Sequence, residues 1–286
     1  MIKTNAEKII KISVIGQIAS PTRRQNYRLT HQGEPTVFPG TGGITYNVQV
    51  GDLVFGWVGD HIEPGVSIKN KDESENRALN LYTCIGNTAY VISGEAKGKT
   101  GIVTGKHGGI EHILVWFPKP VIEKLAIGDQ IQIRAQGQGF MVYDLPDVKF
   151  FNLDPALFFK INPKIKNGVI EFPVTHILPP TIMGSGLGSE TAASGDYDIT
   201  TQDESAIKQY QLNTLRFGDI VFLQDTDNTY GRCYKKGASS VGVVVHANCV
   251  IAGHGPGVTT IATSAKGKIK PIINKNANIA KYLDII

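Results

Sequence analysis

The chain contains 32 glycines, which divide it into short segments of alternating apolar and polar residues. Alternation with a period of two is typical of strands, and glycine at the breaks permits tight turns. The pattern predicts a mainly β protein (β-rich α+β) with barrel-like or sandwich-like sheets and a few short helices. The predicted strands are 9–15, 44–50, 53–58, 88–93, 101–104, 112–117, 130–135, 220–224, 241–246 and 258–263. The predicted helices are 74–81, 118–125 and 203–211.

A segment rich in Pro, Asp and Phe (144–159) interrupts the strand pattern near the middle of the chain. A chain of 286 residues is long enough for two domains. We therefore predict β-rich domains at residues 1–150 and 151–286, and leave open a site shared between them. A second irregular segment, 179–195, is rich in small residues and predicts a loop beside a site.

Charge, cysteine content and hydropathy exclude several classes of protein. The net charge is only +4, and the one basic cluster, Arg23-Arg24 with Arg28, is typical of a solvated loop, so we expect no nucleic-acid partner. Three widely spaced cysteines argue against a disulfide framework and indicate a reducing compartment. No segment approaches the roughly 18 apolar residues of a membrane helix. We expect a cytoplasmic protein without membrane contact, and a homo-oligomer on general grounds.

The first polar cluster follows a predicted strand, within residues 57–67. Asp60, His61 and Glu63 place two carboxylates and an imidazole within four positions. Such a set can ligate a divalent cation or orient a water for general base catalysis. The alternative is an Asp-rich turn with an exposed histidine.

Three more histidines lie at predicted strand ends or among glycines. His107 is flanked by a glycine-rich turn, and His246 ends an almost continuous apolar strand, where a buried imidazole needs a partner or a ligand. His254 lies in a loop whose glycines, Gly253, Gly255 and Gly257, expose successive amides that can form an anion-binding nest. The alternative is a lone core histidine without a functional role.

Two acidic pairs complete the candidates: Asp196 with Asp198, and Asp225 with Asp227. Carboxylates two residues apart on extended backbone point the same way, so Asp225 and Asp227 can share one cation. The alternative is a solvated hairpin turn.

Three segments together resemble an uncharacterised prokaryotic family, a domain of unknown function: 42–48, 59–67 and 252–259. This resemblance extends over most of the chain and implies no assigned activity. Two shorter segments, 195–199 and 218–222, are similar to the acetamidase/formamidase family of metal-dependent amide hydrolases. That resemblance implies a β-rich fold and amide hydrolysis, although Tyr197 occupies the position of the family's Asn, and its Gly-Asp-Gly-His element has no match afterwards.

We therefore expect a metal-assisted hydrolase of a small polar substrate, the amide preference being implied only by the second resemblance. Zinc is the expected cofactor. The candidate metal ligands are Asp60, His61, His246 and His254, and the candidate catalytic groups are Glu63, Asp196 and His107.

The alternative function is non-catalytic binding of a small molecule or anion. The candidate ligand-binding residues are Gly253, Gly255, Gly257, Asp225 and Asp227. A β-rich structural subunit is the third hypothesis; it predicts a large apolar surface patch and no metal.

Overall fold

The computed structural model describes residues 2–23 and 25–285; Arg24 of the basic cluster lies outside them. The fold is mainly β, as predicted from the alternating segments. The described strands are β1 (Ile12–Ile18), β2 (Arg28–Leu29), β3 (Pro35–Thr36), β4 (Ile44–Thr45), β5 (Gly65–Lys69), β6 (Thr88–Val91), β7 (Thr100–His107), β8 (His112–Trp116), β9 (Gln130–Ala135), β10 (Lys149–Phe150), β11 (Lys164–Lys166), β12 (Val169–Val174), β13 (His176–Leu178), β14 (Tyr197–Asp198), β15 (Ile220–Asp227), β16 (Cys233–His246), β17 (Gly257–Ser264) and β18 (Ile269–Ile273).

The α-helices are short: α1 (Glu73–Tyr82), α2 (Lys119–Ile122), α3 (Pro155–Ile161), α4 (Glu204–Gln209) and α5 (Ile279–Tyr282). Helices α1, α2 and α4 fall at the three predicted positions, although α2 has only four residues. Helix α4 is capped by the Asp203 side chain, which accepts from the Ser205 N–H. No helix in the described part of the chain is long and apolar enough to span a membrane.

Six strands of the first sheet close into an antiparallel barrel. Their order is β1-β9-β6-β7-β8-β5, and β5 pairs back to β1, while β4 extends the sheet beside β5. Alternate side chains of the strands point inward and form the barrel core. This core includes Val66, Ile68, Val103, Ile113, Val115, Ile131 and Ile133.

The second sheet has the order β10-β17-β16-β15-β13, and β14 pairs with β17. Strands β13 and β15 are parallel, and the other pairs in this sheet are antiparallel. A third sheet, β11-β12-β18, and the two-stranded β2-β3 complete the fold. Residues 241–246 and all of β17 are buried, because this sheet is covered on both faces.

Strand β7 of the barrel packs directly on β16 and β17 of the second sheet. A Cβ at Gly105 would collide with Val245, so glycine permits the close approach. The Lys106 N–H donates to Thr259 Oγ1 (3.3 Å), and the Thr259 hydroxyl donates to the Lys106 carbonyl (3.0 Å). The ends of β7 and β16 and the start of β17 therefore meet.

One hydrophobic cluster includes residues from both sides of residue 150, among them Ile85, Leu114, Val241 and Val243. The boundary between domains 1–150 and 151–286 stays a prediction.

Two predicted strands are wrong wholly or in part. Only Ile44–Thr45 of the predicted 44–50 is a strand, and 53–58 is irregular, with Leu53 making an isolated bridge to Arg216. The backbone turns at Gly51 and Gly56, whose φ angles are 107° and 89°, so the segment cannot extend. Val48 and Val54 of this segment are buried in a hydrophobic cluster that also contains Val221 and Val244 of the second sheet, whereas Leu53 and Val58 are exposed.

Several elements were not predicted, among them β5 and α3. Four of the five residues of β5 are buried, so it shows no alternation of polar and apolar positions. Helix α3 begins at Pro155, after Asp154 has capped it by accepting from the Ala156 N–H. The same Asp-Pro pair was interpreted as part of an irregular boundary.

Candidate functional site

Five of the seven histidines converge between the barrel and the second sheet. His107 is the last residue of β7 and His246 the last of β16, and their ring centroids lie 4.3 Å apart. The ring of His61 lies 5.0 Å from that of His246 and 5.1 Å from that of His254. The packing of β7 on β16 thus brings together side chains that are 139 positions apart, since 246 − 107 = 139. We call these histidines, together with the neighbouring carboxylates Asp196 and Asp198, the histidine cluster.

Two buried carboxylates, Asp196 and Asp198, face the same histidines. Asp198 lies in β14, opposite Gly257 of β17. His246 Nε2 is 2.9 Å from Asp196 Oδ2 and 3.2 Å from Asp198 Oδ1. The Gly108 N–H holds the other oxygen of Asp196 (2.7 Å). The acidic pair identified in the sequence therefore lies beside His246.

A buried lysine fixes the loop that precedes Asp196. Lys106 Nζ donates to Asn152 Oδ1 (2.7 Å), to the Ala193 carbonyl (2.8 Å) and to the Asn80 carbonyl. Asn152 also donates to the Ala192 carbonyl (2.6 Å). These bonds tie the end of the irregular 179–195 segment to the barrel, and so position Asp196.

Asp60 orients His61. Its Oδ1 lies 3.1 Å from His61 Nδ1 and accepts the S–H of Cys249 (2.8 Å), while its Oδ2 pairs with Arg28 (2.6 Å). Burial raises the pKa of Asp60, but the hydrogen bond with His61 and the neighbouring charges hold it well below its usual value. Asp60, predicted as a metal ligand, thus has both oxygens engaged by protein groups.

Glu63 is fully buried behind His107. Its oxygens accept from the Ser67 hydroxyl and the Gly42 N–H (2.6 Å), and lie 2.6 Å from His107 Nδ1 and 3.0 Å from His112 Nδ1. Burial raises its pKa, yet His112 and His107 hold that pKa well below its usual range. Glu63 is therefore an ionised carboxylate that positions two imidazoles, and it does not line the cavity as a general base must.

The three central histidines share one arrangement of their ring nitrogens. Nδ1 of His107 faces Glu63, Nδ1 of His246 lies 2.9 Å from the Ala247 carbonyl, and Nδ1 of His61 faces Asp60. Each acceptor favours the tautomer with the hydrogen on Nδ1. Nε2 then carries a lone pair, which is how histidine ligands are usually prepared for a metal.

Three buried atoms of the cluster lack a hydrogen bond of normal geometry among the described residues: His246 Nε2, Asp196 Oδ2 and Asp198 Oδ2. Burial lowers the pKa of His246, but the charges of Asp196 and Asp198 raise it well above its usual value. Burial raises the pKa of the Asp196 and Asp198 carboxyls, but their interactions with His246 outweigh burial, and both pKa values lie below the usual value. Unpaired buried polar atoms are rare and require an explanation. A positive charge among them satisfies all three, either as an imidazolium proton or as a cation.

The donor atoms are spaced as the ligands of a cation are. One donor atom from each of His107, Asp196 and His246 lies within 4.8 Å of the others, and the same holds for the set His61, Asp198 and His246. Imidazole nitrogens and carboxylate oxygens are the ligands of catalytic zinc sites. The residues therefore fit a divalent cation.

A cavity of about 750 Å³ opens on the cluster. Asp60, His61, His107, Asp196 and His254 line it, and the side chain of His254 is 31% exposed. Ser185, Gly186, Ser189, Ser194 and Gly195 of the predicted 179–195 loop also line it. The loop is therefore beside the candidate site.

The structure does not bring Asp225 and Asp227 to this cavity. Asp225 lies in a bulge with φ 51° and accepts from the Gly237 N–H (2.6 Å). Asp227 accepts from Thr229 and pairs with Lys235 (3.4 Å). The bulge breaks the alternation that would have aligned the two carboxylates, and both serve the β15–β16 hairpin.

The 253–257 loop does not present successive free amides. The Gly253 N–H donates to Gln202 Oε1 (3.1 Å), and the His254 N–H to the Ile251 carbonyl (3.1 Å). Residue 256 is proline and has no N–H. Gly255 packs on the Ile199 carbonyl and Gly257 beneath Asp196 and His246, so these glycines permit close packing.

His112 and Arg232 belong to the site but were not candidates from the sequence, and Asp198 was named there only as a member of an acidic pair, without an assigned role. The period of two that links Asp196 to Asp198 was the available signal for Asp198. No local sequence pattern shows that His112 shares Glu63 with His107. Arg232, buried at the cavity, has no sequence signal because its position depends on β16.

We expect Gly257→Ala to destabilise the protein by about 2–3 kcal/mol, because the new methyl group would overlap Asp196 Oδ2 and His246 Nε2. Urea unfolding measures the change. The matched control is Gly253→Ala, where φ is 77° and no atom lies within 4 Å, so only backbone strain of about 1 kcal/mol is expected. Equal losses in the two variants would contradict the close packing at Gly257.

Comparison with known proteins identifies relatives over almost the whole chain. The profile of the N-terminal part of a domain of unknown function, DUF4438, matches residues 27–159, and that of its C-terminal part matches residues 160–283. The solved structure titled "Crystal structure of TM1086" is 48% identical, with a TM-score of 0.95, and the match covers 98% of this chain and 99% of that one. No curated protein matches the chain. The similarity to acetamidases therefore stays an expectation.

Proposed function

Because the chain belongs to the DUF4438 family, whose description names no activity, we propose its function from the geometry of the site: a metal-dependent hydrolase of a small polar substrate. The ligands of the proposed cation are His107, Asp196 and His246. The observation that carries the proposal is the convergence of His246 Nε2 and Asp196 Oδ2, both buried, 2.9 Å apart and without a normal hydrogen bond. A cation between them offsets the cost of burying both.

The positions of the surrounding groups support this ligand set. Glu63 and the Ala247 carbonyl hold the Nδ1 atoms of His107 and His246, which directs both Nε2 lone pairs away from these acceptors. His107 and Asp196 also line the cavity, so one side of the cation is left for water and substrate. Three protein ligands and an open position are typical of catalytic zinc, and we propose zinc as the metal.

The chemistry follows from this arrangement. A zinc ion lowers the pKa of a bound water and polarises the carbonyl of a bound substrate. Asp196 is assigned as a ligand in this proposal and not as the general base, because its Oδ1 accepts from the Gly108 N–H and its Oδ2 is the oxygen proposed to bind the cation. Asp60 and Glu63 act as positioning residues for His61 and His107.

Arg232 supports a substrate that carries an acceptor group, such as a carboxylate or an amide oxygen. It is 2% exposed and lines the cavity, and its Nη2 donates to the Ser194 carbonyl (3.2 Å). Its Nε has no hydrogen-bond partner among the described residues. We propose that the substrate supplies it.

We expect zinc alone to raise the Tm of protein that has been stripped by chelation. At a free zinc concentration of 100 Kd the stabilisation is about 2.7 kcal/mol, which corresponds to roughly 5–10 °C for a chain of this size. Differential scanning fluorimetry measures this shift, and hydrolysis of a panel of small amides before and after chelation tests the activity. An unchanged Tm with zinc would overturn the metal site. Stabilisation by small anions that persists after chelation would favour a non-catalytic binding protein.

A further inference from the structure

We propose that the cluster holds two cations and that Asp198 bridges them; this rests on the metal site proposed above and adds a second one. The two oxygens of Asp198 face different nitrogen atoms. Oδ1 lies 3.2 Å from His246 Nε2, in the first site, while Oδ2 lies 2.8 Å from His254 Nδ1 and 3.6 Å from His61 Nε2. A carboxylate placed in this way can bind one cation with each oxygen.

The second donor set is His61 Nε2, His254 Nδ1 and Asp198 Oδ2. The two nitrogens are 3.1 Å apart, so the three distances within the set are 2.8, 3.1 and 3.6 Å. Three ligands bound to one zinc ion at 2.0–2.1 Å with tetrahedral angles stand about 3.3 Å apart. The observed spacing therefore fits one ion.

With both histidines neutral, the hydrogen atoms available in this set do not satisfy it without a cation. His61 donates from Nδ1 to Asp60, which leaves a lone pair on its Nε2. His254 Nδ1 has one hydrogen, which it can give to His61 or to Asp198. Asp198 Oδ2 is buried and has no hydrogen bond of normal geometry among the described residues. A cation coordinated by all three atoms accounts for the arrangement.

Cys249 lies near the second set but is not assigned to it. A donor set made of Cys249, His61 and His254 also falls within 4.8 Å. However, the Cys249 S–H donates to Asp60 Oδ1 (2.8 Å), and burial followed by the Asp60 charge raises the pKa of the thiol. Thiols bind metals as thiolates, so a thiol that donates its hydrogen to Asp60 is a support for Asp60 and not a ligand.

The bridge gives the two cations a defined relation to the cavity. Pairs of cations that share ligands in hydrolases lie about 3.5–4 Å apart and hold opposite sides of the reacting group. The second cation would lie on the side of His254, the partly exposed histidine of the cluster. It would therefore be the one closer to solvent and the more easily removed.

Zinc titration of the stripped full-length protein, monitored by calorimetry and by elemental analysis after gel filtration, tests the proposal. We expect two equivalents of zinc in the wild type, and one in His254→Ala, which removes a ligand from an exposed loop and leaves His107, Asp196 and His246 in place. The matched control is His176→Ala, since the His176 ring contacts Thr175 and Thr214 outside the cavity. The His176→Ala variant should still bind two equivalents of zinc.

The possible outcomes separate this proposal from the one on which it rests. One equivalent in the wild type overturns the second site and leaves the hydrolase proposal standing, whereas none overturns both. Two equivalents in His254→Ala also overturn the second site as assigned. The electron paramagnetic resonance spectrum of wild-type protein loaded with Mn²⁺ provides a second test that does not depend on these variants. A spectrum of two exchange-coupled ions supports the bridge, and a spectrum of isolated ions overturns it.

Discussion

Replacing His246 with alanine is expected to abolish metal binding, with an affinity for zinc more than about 100-fold weaker than that of the wild type. Substitution of residues that only orient a ligand typically costs 10–100-fold, and loss of the ligand itself costs more. His246 contacts both carboxylates, its Nε2 lying 2.9 Å from Asp196 Oδ2 and 3.2 Å from Asp198 Oδ1. Elemental analysis of the purified variant and a competition titration with a chromophoric chelator measure the loss.

The control for this experiment is again His176→Ala, which should retain the wild-type metal content. Circular dichroism of His246→Ala checks that the variant is folded, because Asp196 and Asp198 both lose their contact with the His246 ring. A folded variant with undiminished metal content would contradict the ligand set. If the cluster instead holds only an imidazolium proton, neither the wild type nor the variant binds zinc.

The second large effect is expected for Glu63→Gln, which should destabilise the protein by about 3–5 kcal/mol and weaken zinc binding by about 10–100-fold. The substitution preserves shape but removes the negative charge that His107 and His112 share in the barrel wall. It also replaces one acceptor oxygen by an amide donor, which faces groups that need an acceptor. Urea unfolding and the same competition titration measure the two quantities.

Glu95→Gln is the matched control, because Glu95 is exposed and its ion pair with Lys124 is worth less than about 1 kcal/mol. The pH dependence gives a further check. Because the pKa of Glu63 is held well below its usual value of 4.5, its stabilising effect is present at neutral pH and decreases as the pH falls below 4.5. The difference between wild type and Glu63→Gln should shrink in acid. A constant difference would contradict a role for the charge.

The class of the fold was predictable from the sequence, because a period of two in hydropathy is a local property. Strands such as β6, β8 and β9 were located within a few residues on this basis. Strand β5 was not, since burial on both sides removes the alternation on which the prediction depends. The closure of the barrel could not be predicted from the sequence either, because it depends on pairing between β1 and β5, which are distant in the chain.

The sequence by itself determined that polar groups able to bind a cation lie at strand ends or in the loops between strands, at residues 60–63, 107, 196, 246 and 254. It also determined, through glycines such as Gly105 and Gly257, that backbones can approach closely at particular points. What each polar group does was decided only by the tertiary structure. Asp60 and Glu63 support histidines because partners from other strands engage their oxygens, and Asp198 faces two donor sets because β14 pairs with β17. A side chain's role depends on which donors and acceptors remain free after folding, and that is a property of three-dimensional packing.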